Sequence, residues 1–301
     1  MQLLFVHMYL NNQRNCQFKK MNFLIFSDLF FPDNRLITQE ISLLCNKLNS
    51  GKNKVTLATY HLADKKLDQK VDKKELKKGI LVIRAGIRNI KRFSSLLRGI
   101  FEIINPLALL VKSIVQFVRS DSILVFSPSI FLAFFVIVFS KIFRKIVILN
   151  VQDISPQNAI DIGLITNKIA IGILKKIERM NYYFSNKIIV NTFESENYLI
   201  TERRIPSKKI KVFYPWINHI NLKQDNNLTK KEFGIKFNLP LSNSDFIIVF
   251  TGTIGPYQDL NMLLDMSKFL QDTNIKFLIF GIGIYKKTLQ ERVERNGIKN
   301  I

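Results

Sequence analysis

Cysteine and histidine are scarce, and their scarcity removes several chemistries at once. Cys16 and Cys45 are far apart and build no disulfide framework, and His7, His61 and His219 are isolated from one another. No Cys/His metal cluster can be read, so the sequence carries no expected metal or cofactor and fits a reducing, cytoplasmic compartment. Acidic residues are in deficit too, with Lys plus Arg at 45 against Asp plus Glu at 23, for a formal charge of +22. Such a field favours anionic partners: nucleic acid, acidic lipid headgroups or phosphorylated small molecules. Aromatics interleaved with arginine are nowhere concentrated, which argues against a nucleic-acid platform. A scattered excess of lysine in an Asn- and Ile-rich chain is equally compatible with no polyanion at all.

Signal-peptide features are also missing. "MQLLFVHMYLNNQRNCQFKK" places its charge after the apolar run and has no small-residue cleavage site. Met21 opens a better strand, "MNFLIFS", so residues 1–20 read as an N-terminal extension. Charge is absent from Ser122 to Ser140, "SILVFSPSIFLAFFVIVFS", a length that spans a bilayer as a helix. Pro128 supplies the other reading, dividing the run into a buried strand and a core-facing helix.

What is present is alternation. A length of 301 residues with 47% hydrophobic and 23% charged residues suits two globular domains. "NFLIFS" (22–27) reads as a strand. In "ITQEISLLCNKLN" (37–49) the apolar positions 37, 41, 44, 45 and 48 share a helical face. Strands follow at 54–59 and 80–84, with a lysine-rich, solvated linker expected over 64–78. A helix interrupted at Pro106 is expected over 92–119. Further strands are expected at "SILVF", 145–151, 187–191 and 209–213, with helices between them. Continuous apolar strands alternating with helices imply a parallel sheet covered on both faces, hence an α/β doubly wound domain over 21–215.

A polar, asparagine-rich stretch, 216–244, reads as a linker. Over 245–301 a second α/β unit has two strand-turn-helix modules: "FIIVFT" with turn "GTIGPYQ", and "KFLIF" with turn "GIG". Two modules are few for an independent open sheet.

The candidate site residues lie in loops that follow strands. Gly252, Thr253 and Gly255 occupy the first glycine turn; Gly281, Gly283 and Lys286 occupy or adjoin the second. Glycine there admits close backbone approach, and the following helix N-terminus can meet a phosphate; close packing alone would also select it. The second turn does not complete a G-x-G-x-x-G fingerprint, because position 286 is lysine. In the first domain Asp153 follows a buried strand, where a carboxylate can orient a hydroxyl, assist proton transfer, or cap its own turn. Asp28, Asp33 and Arg35 lie in the loop after the first strand, and Asp33 before Asn34 is also ordinary turn chemistry.

Six blocks, "MNFLIFSDLFFPDNRLITQEISLLCNKL", "VQDISPQNAIDIGL", "KIIVNTFESENYL", "KIKVFYPWIN", "FTGTIGPYQDLNMLLDMSKFL" and "FLIFGIGIYKKTLQERVERNGIKNI", resemble in that order bacterial family 4 glycosyltransferases of the GT-B fold, the group that builds O-antigen, capsule and colanic-acid polysaccharides. The resemblance implies two Rossmann-like domains, a nucleotide-sugar donor on the second and a saccharide or lipid-linked acceptor on the first. It further implies retention of anomeric configuration, no metal, and a peripheral place on the anionic inner face of the cytoplasmic membrane, with 88–119 the expected contact. The glycine turns match the family's donor-side loops and Asp153 its cleft-facing acidic position. Departures are the lack of Arg or Lys between Gly252 and Ser267, and Pro215 at the family's usual asparagine. The family's paired-glutamate segment would lie beyond Ile301, so the expectation is a C-terminally truncated donor domain of little activity by itself. The alternatives are a gene fragment and a membrane-associated, non-catalytic accessory protein.

Overall fold

A computed structural model describes residues 20–33, 35–49, 53–61, 65–86, 94–127, 129–215 and 229–301. Most of the proposed extension, His7, Cys16, Pro128, His219, positions 88–93 of the expected membrane contact and 216–228 of the expected linker lie outside them. The described residues form two compact units, the first ending at Pro215 and the second beginning at Thr229.

In the first unit the strands are β1 (Asn22–Ser27), β2 (Lys54–Tyr60), β3 (Ile80–Ala85), β4 (Ser122–Ser127), β5 (Ile146–Val151), β6 (Lys187–Val190) and β7 (Ile210–Val212). The helices are α1 (Leu36–Asn49), α2 (Lys65–Lys77), α3 (Ser95–Lys112), α4 (Ile114–Arg119), α5 (Ile130–Ile142), α6 (Gln157–Asp161), α7 (Lys168–Phe184) and α8 (Phe193–Thr201). All seven strands are parallel, in the order β3-β2-β1-β4-β5-β6-β7. Alternate residues of β1 serve opposite faces: Leu24 and Phe26 join Leu109, Leu132, Val136 and Tyr182, while Phe23 and Ile25 join Ile41, Leu44 and Leu48 of α1. Burial on both sides is why these strands read as unbroken apolar runs.

The uncharged run at 122–140 therefore divides into β4 and α5. Leu132, Ala133, Val136 and Ile137 of α5 are buried against the sheet, and no helix among the described residues is long and apolar enough to cross a membrane. Two sequence expectations need correction. The lysine-rich 64–78 is a helix from Lys65, because Asp68 and Glu75 form a buried face that the surrounding lysines concealed. The 92–119 helix is not interrupted at Pro106, which lies inside α3; it breaks at Ser113, whose hydroxyl donates to the Leu109 carbonyl at 2.7 Å.

The second unit holds α9 (Lys230–Phe237), β8 (Phe246–Thr253), α10 (Asn261–Phe269), β9 (Ile275–Ile282) and α11 (Lys286–Arg295). The two strands are parallel, and Ile254, Leu260, Leu264, Leu289 and Ile298 form the core above them. Part of the expected linker is thus α9, started by a capping box: Glu232 N–H donates to Thr229 Oγ1 at 3.3 Å, and Thr229 N–H to Glu232 Oε2 at 2.7 Å. Thr229→Ala is expected to lower the urea stability of this unit by about 1 kcal/mol, as loss of an N-cap does elsewhere. An unchanged midpoint by circular dichroism would show that α9 contributes nothing to it.

Candidate functional site

The loop after β1 carries three of the predicted residues, and they separate into two kinds. Asp33 accepts from the Arg35 backbone N–H at 2.9 Å, and the Arg35 guanidinium grips the same carboxylate at 3.0 and 2.8 Å. Thr38 Oγ1 donates to the Asp33 carbonyl at 2.8 Å, completing the entry to α1. Asp33 and Arg35 thus close on each other as turn chemistry. Asp28 differs, because its Oδ1 is out of solvent with no hydrogen-bond partner. Burial first, and then the Glu102 carboxylate, push its carboxyl up to about 7, against a smaller pull from Arg35.

Arg84, at the end of β3, holds that loop in place. Its guanidinium is only 4% exposed and donates to the Phe31 carbonyl at 2.5 Å, the Tyr60 carbonyl at 3.2 Å and Asp72 Oδ1 at 2.8 Å, with Asp68 Oδ1 at 3.7 Å. Three segments of the carboxyl edge are tied by one side chain.

Asp153, predicted from its place after β5, is exposed and borders a water-sized cavity of about 10 Å³. Ser127, Ser155, Glu178 and Asn181 also line it. Glu178, on α7, is 1% exposed and accepts from Arg203 Nε at 3.1 Å, and the Arg203 guanidinium stacks 4.8 Å from the Tyr198 ring centre. Burial raises the Glu178 carboxyl above its ordinary range despite that donor. Beside Asp153, Gln152 donates to Asn150 Oδ1 and accepts from Asn191 Nδ2, both at 2.9 Å, so amides from β5 and the end of β6 form one chain.

Asp28 and Asp153 thus follow β1 and β5, on either side of β4. Sequence reasoning missed Arg84, Glu102 and Glu178. Arg84 and Glu102 are lone charges among apolar neighbours, "ILVIRA" and "GIFEIINP", and that isolation was the signal available; Glu178, in "ILKKIERM", sits among other charges and gave none.

In the second unit the predicted turns start later than expected: Gly252, Thr253 and Gly281 are the paired carboxyl ends of β8 and β9, with Gly252 opposite Gly281 and Thr253 opposite Ile282, and Gly255 and Gly283 lie in the turns beyond them. The glycines do different jobs. A Cβ on Gly281 would run into the Gly252 carbonyl oxygen, and one on Gly283 into the Ile254 carbonyl oxygen, so these two serve backbone packing. Gly252 and Gly255 face side chains instead, the Phe250 ring at 3.3 Å and Gln258 Oε1 at 3.2 Å. The helices that follow, α10 and α11, start without a side-chain cap, as do α3, α4 and α6, whereas α5, α7, α8 and α9 are capped by Ser129, Asn167, Thr192 and Thr229. Some of their first N–H groups donate to loop carbonyls, Met262 to Asp259 at 3.1 Å and Lys286 to Gly283 at 3.3 Å, while the positive dipole end of α11 lies beside exposed Lys286. Among the described residues no group of His, Cys, Asp and Glu is arranged to hold a metal.

A seven-stranded Rossmann-like unit followed by a smaller one built on glycine turns makes this an α/β protein of the GT-B fold class. In particular, the chain is similar to HepE of Anabaena, whose crystal structure holds UDP and glucose, with a TM-score of 0.59 at 17% identity over 93% of this chain and 67% of that one. It is similar to a glycosyltransferase from Rickettsia africae, with a TM-score of 0.56 at 13% identity over 94% of this chain and 67% of that one. UGT89C1 of Arabidopsis thaliana, complexed with UDP, gives 0.50 at 14% identity over 91% and 69%. No protein-family model and no curated protein matches the chain.

Proposed function

We propose that the protein is a glycosyltransferase whose second unit takes a nucleotide-sugar donor and whose first unit takes a saccharide or lipid-linked acceptor. The observation that carries this reading is the fold shared with UDP-bound glycosyltransferase structures, combined with two uncapped helix N-termini behind glycine turns. Helix N-termini and Lys286 would stabilise the diphosphate as the sugar leaves. The motif resemblance extends the proposal to family 4, to retention of configuration without a metal, and to O-antigen or capsule type polysaccharide as product. A charge of +22 supports peripheral attachment to the anionic inner face of the cytoplasmic membrane, where each basic residue near the surface gains about 1 kcal/mol.

Titration calorimetry of the 301-residue chain with UDP tests the donor half. Binding is expected, with Lys286→Ala raising Kd roughly tenfold, the equivalent of about 1.4 kcal/mol for one charge-assisted contact. Absence of UDP binding together with absence of UDP release from a panel of UDP-sugars would sink the reading. UDP binding without turnover would instead meet the sequence expectation of an impaired chain.

A further inference from the structure

The strand order of the first unit's sheet reverses between β1 and β4, and open parallel sheets take their ligands at the carboxyl ends beside such a switch point. On the face covered by α3 and α5, three polar groups come together there. Asp28 is the first residue after β1, Tyr60 the last of β2, and Glu102 projects from α3. The β1–β2 register, with Ser27 opposite Thr59, sets Asp28 beside Tyr60, and Glu102 is near enough to raise the Asp28 carboxyl and, with it, the Tyr60 phenol. Glu102 is held by the hydroxyl of Ser129, the residue that also caps α5 by accepting from Leu132 N–H at 3.3 Å. Yet Asp28 Oδ1 and the Tyr60 hydroxyl are both out of solvent with no hydrogen-bond partner. Buried polar atoms are nearly always paired, so two orphans at one sheet edge demand an account.

The kind of deficit identifies the kind of ligand. Asp28 Oδ1 is an acceptor without a donor, and the phenol is a donor without an acceptor. A hydroxyl group is both. An anion would face two carboxyl groups, and a bare cation would leave the phenolic proton unanswered.

We propose that Asp28, Tyr60 and Glu102 form the floor of a saccharide-binding site, in which a ligand hydroxyl donates to Asp28 and accepts from Tyr60. The inference rests on the transferase reading only for the choice of a saccharide among hydroxyl compounds. Asp33 and Arg35, paired to each other, stand outside the floor and bias it electrostatically. The charged and titratable groups acting here are Asp28, Asp33 and Arg35 from the β1 loop, Tyr60 from β2 and Glu102 from α3. Burial and Glu102 bring Asp28 to about 7, and burial likewise raises the Glu102 carboxyl against the pull of the Ser129 hydroxyl. Burial and its two acidic neighbours raise the phenol well above its ordinary value, keeping it a donor. Saccharide affinity therefore increases as pH rises through Asp28's titration.

The test uses the full chain with carbon-13-labelled aspartate carboxyls, Asp28 being assigned by its loss in Asp28→Asn. The Asp28 signal should titrate near 7, and move toward the ordinary 3.8 in Glu102→Gln. Glucose, galactose, N-acetylglucosamine and glycerol are added in turn at about pH 8. At least one sugar should shift the signal saturably, with Kd at least threefold weaker in Tyr60→Phe and weaker still at about pH 5. Because Asp28's folded value lies above 3.8, its ionisation destabilises the fold as pH rises from about 4 to 7. Asp28→Asn should accordingly melt higher than wild type above pH 7 and no higher below about pH 4. A signal that none of the four compounds moves would mean that the site holds water alone, and would overturn the proposal, as would ordinary titration in the wild type. UDP titrated in parallel keeps the two readings apart. A sugar response without UDP binding sinks the transferase and leaves the site, whereas UDP binding with a silent Asp28 does the reverse.

Discussion

Arg84→Met is expected to cost the first unit about 3–5 kcal/mol, the usual effect of breaking a buried ion pair by removing one partner. Against a typical total of roughly 5–15 kcal/mol, that is enough to leave much of the protein unfolded at moderate temperature. The size follows from what the guanidinium leaves behind. Asp68 is 2% exposed and would lose its buried cation, and the carbonyls of Phe31 and Tyr60 would lose their donors. Methionine fills similar space but answers none of these groups. Arg84→Lys should recover part of the loss, since an ammonium restores charge but cannot reach Asp72, Phe31 and Tyr60 from one planar fork. Urea unfolding followed by far-ultraviolet circular dichroism measures the effect, and a midpoint within experimental error of wild type would refute it. Because Arg84 also ties down the Phe31 carbonyl three residues beyond Asp28, the lysine variant should loosen the β1 loop. In the carboxyl titration this appears as an Asp28 value closer to that of a solvated aspartate.

The same residue shows how far the sequence could be read. Strand positions were legible because burial on both faces makes "NFLIFS", "SILVF" and "KIVILNV" unbroken apolar runs, and helix α1 because its apolar residues repeat on one face. Segment 64–78 was illegible for a physical reason. Its inward face is not apolar but acidic, with Asp68 and Glu75 buried against Arg84 and Lys78, and a hydrophobicity pattern cannot report a face made of ion pairs. Helix α9 was hidden similarly: eight residues long and weakly amphipathic, it is announced by its Thr229 and Glu232 capping box rather than by periodicity. In the first unit Asp28, Asp33, Arg35 and Asp153 do lie after their strands, because a residue after a parallel strand must stand at the carboxyl edge, whereas in the second Gly252, Thr253 and Gly281 remain within theirs. Roles within the loops were legible only in part. Asp33 before Asn34 already read as turn chemistry and does close a turn, whereas only geometry shows that Asp28, five positions earlier, is left with an unanswered oxygen.

Gly281→Ala and Gly283→Ala should each destabilise the second unit by about 3 kcal/mol or more, at the upper end of overpacking costs, because the obstructing atoms are backbone and cannot rotate aside. A methyl on Gly281 collides with the Gly252 carbonyl, directly across the β8-β9 ladder, and one on Gly283 meets the carbonyl, carbon and nitrogen of Ile254. Relief requires prising apart β8 and β9, or displacing Ile254, a 3% exposed member of a core built from five buried side chains. Gly255→Ala is the control. Its new methyl meets Gln258 Oε1 at 3.2 Å, the free end of a flexible exposed side chain, and Thr253 Cγ2 at an ordinary 3.7 Å, so its effect should stay within about 1 kcal/mol. Hydrogen exchange resolves the outcome by region: amides of β8 and β9 should lose protection in Gly281→Ala while those of β1 and β4 keep theirs. The comparison also divides the two reasons for a glycine at a strand-end turn. If Gly281→Ala folds with wild-type protection and loses only UDP binding, that glycine is there for the ligand and the packing argument is wrong. If it loses protection while Gly255→Ala stays folded and binds UDP more weakly, packing holds the two strands together at Gly281 and Gly283, and close approach to the diphosphate falls to the turn at Gly252 and Gly255.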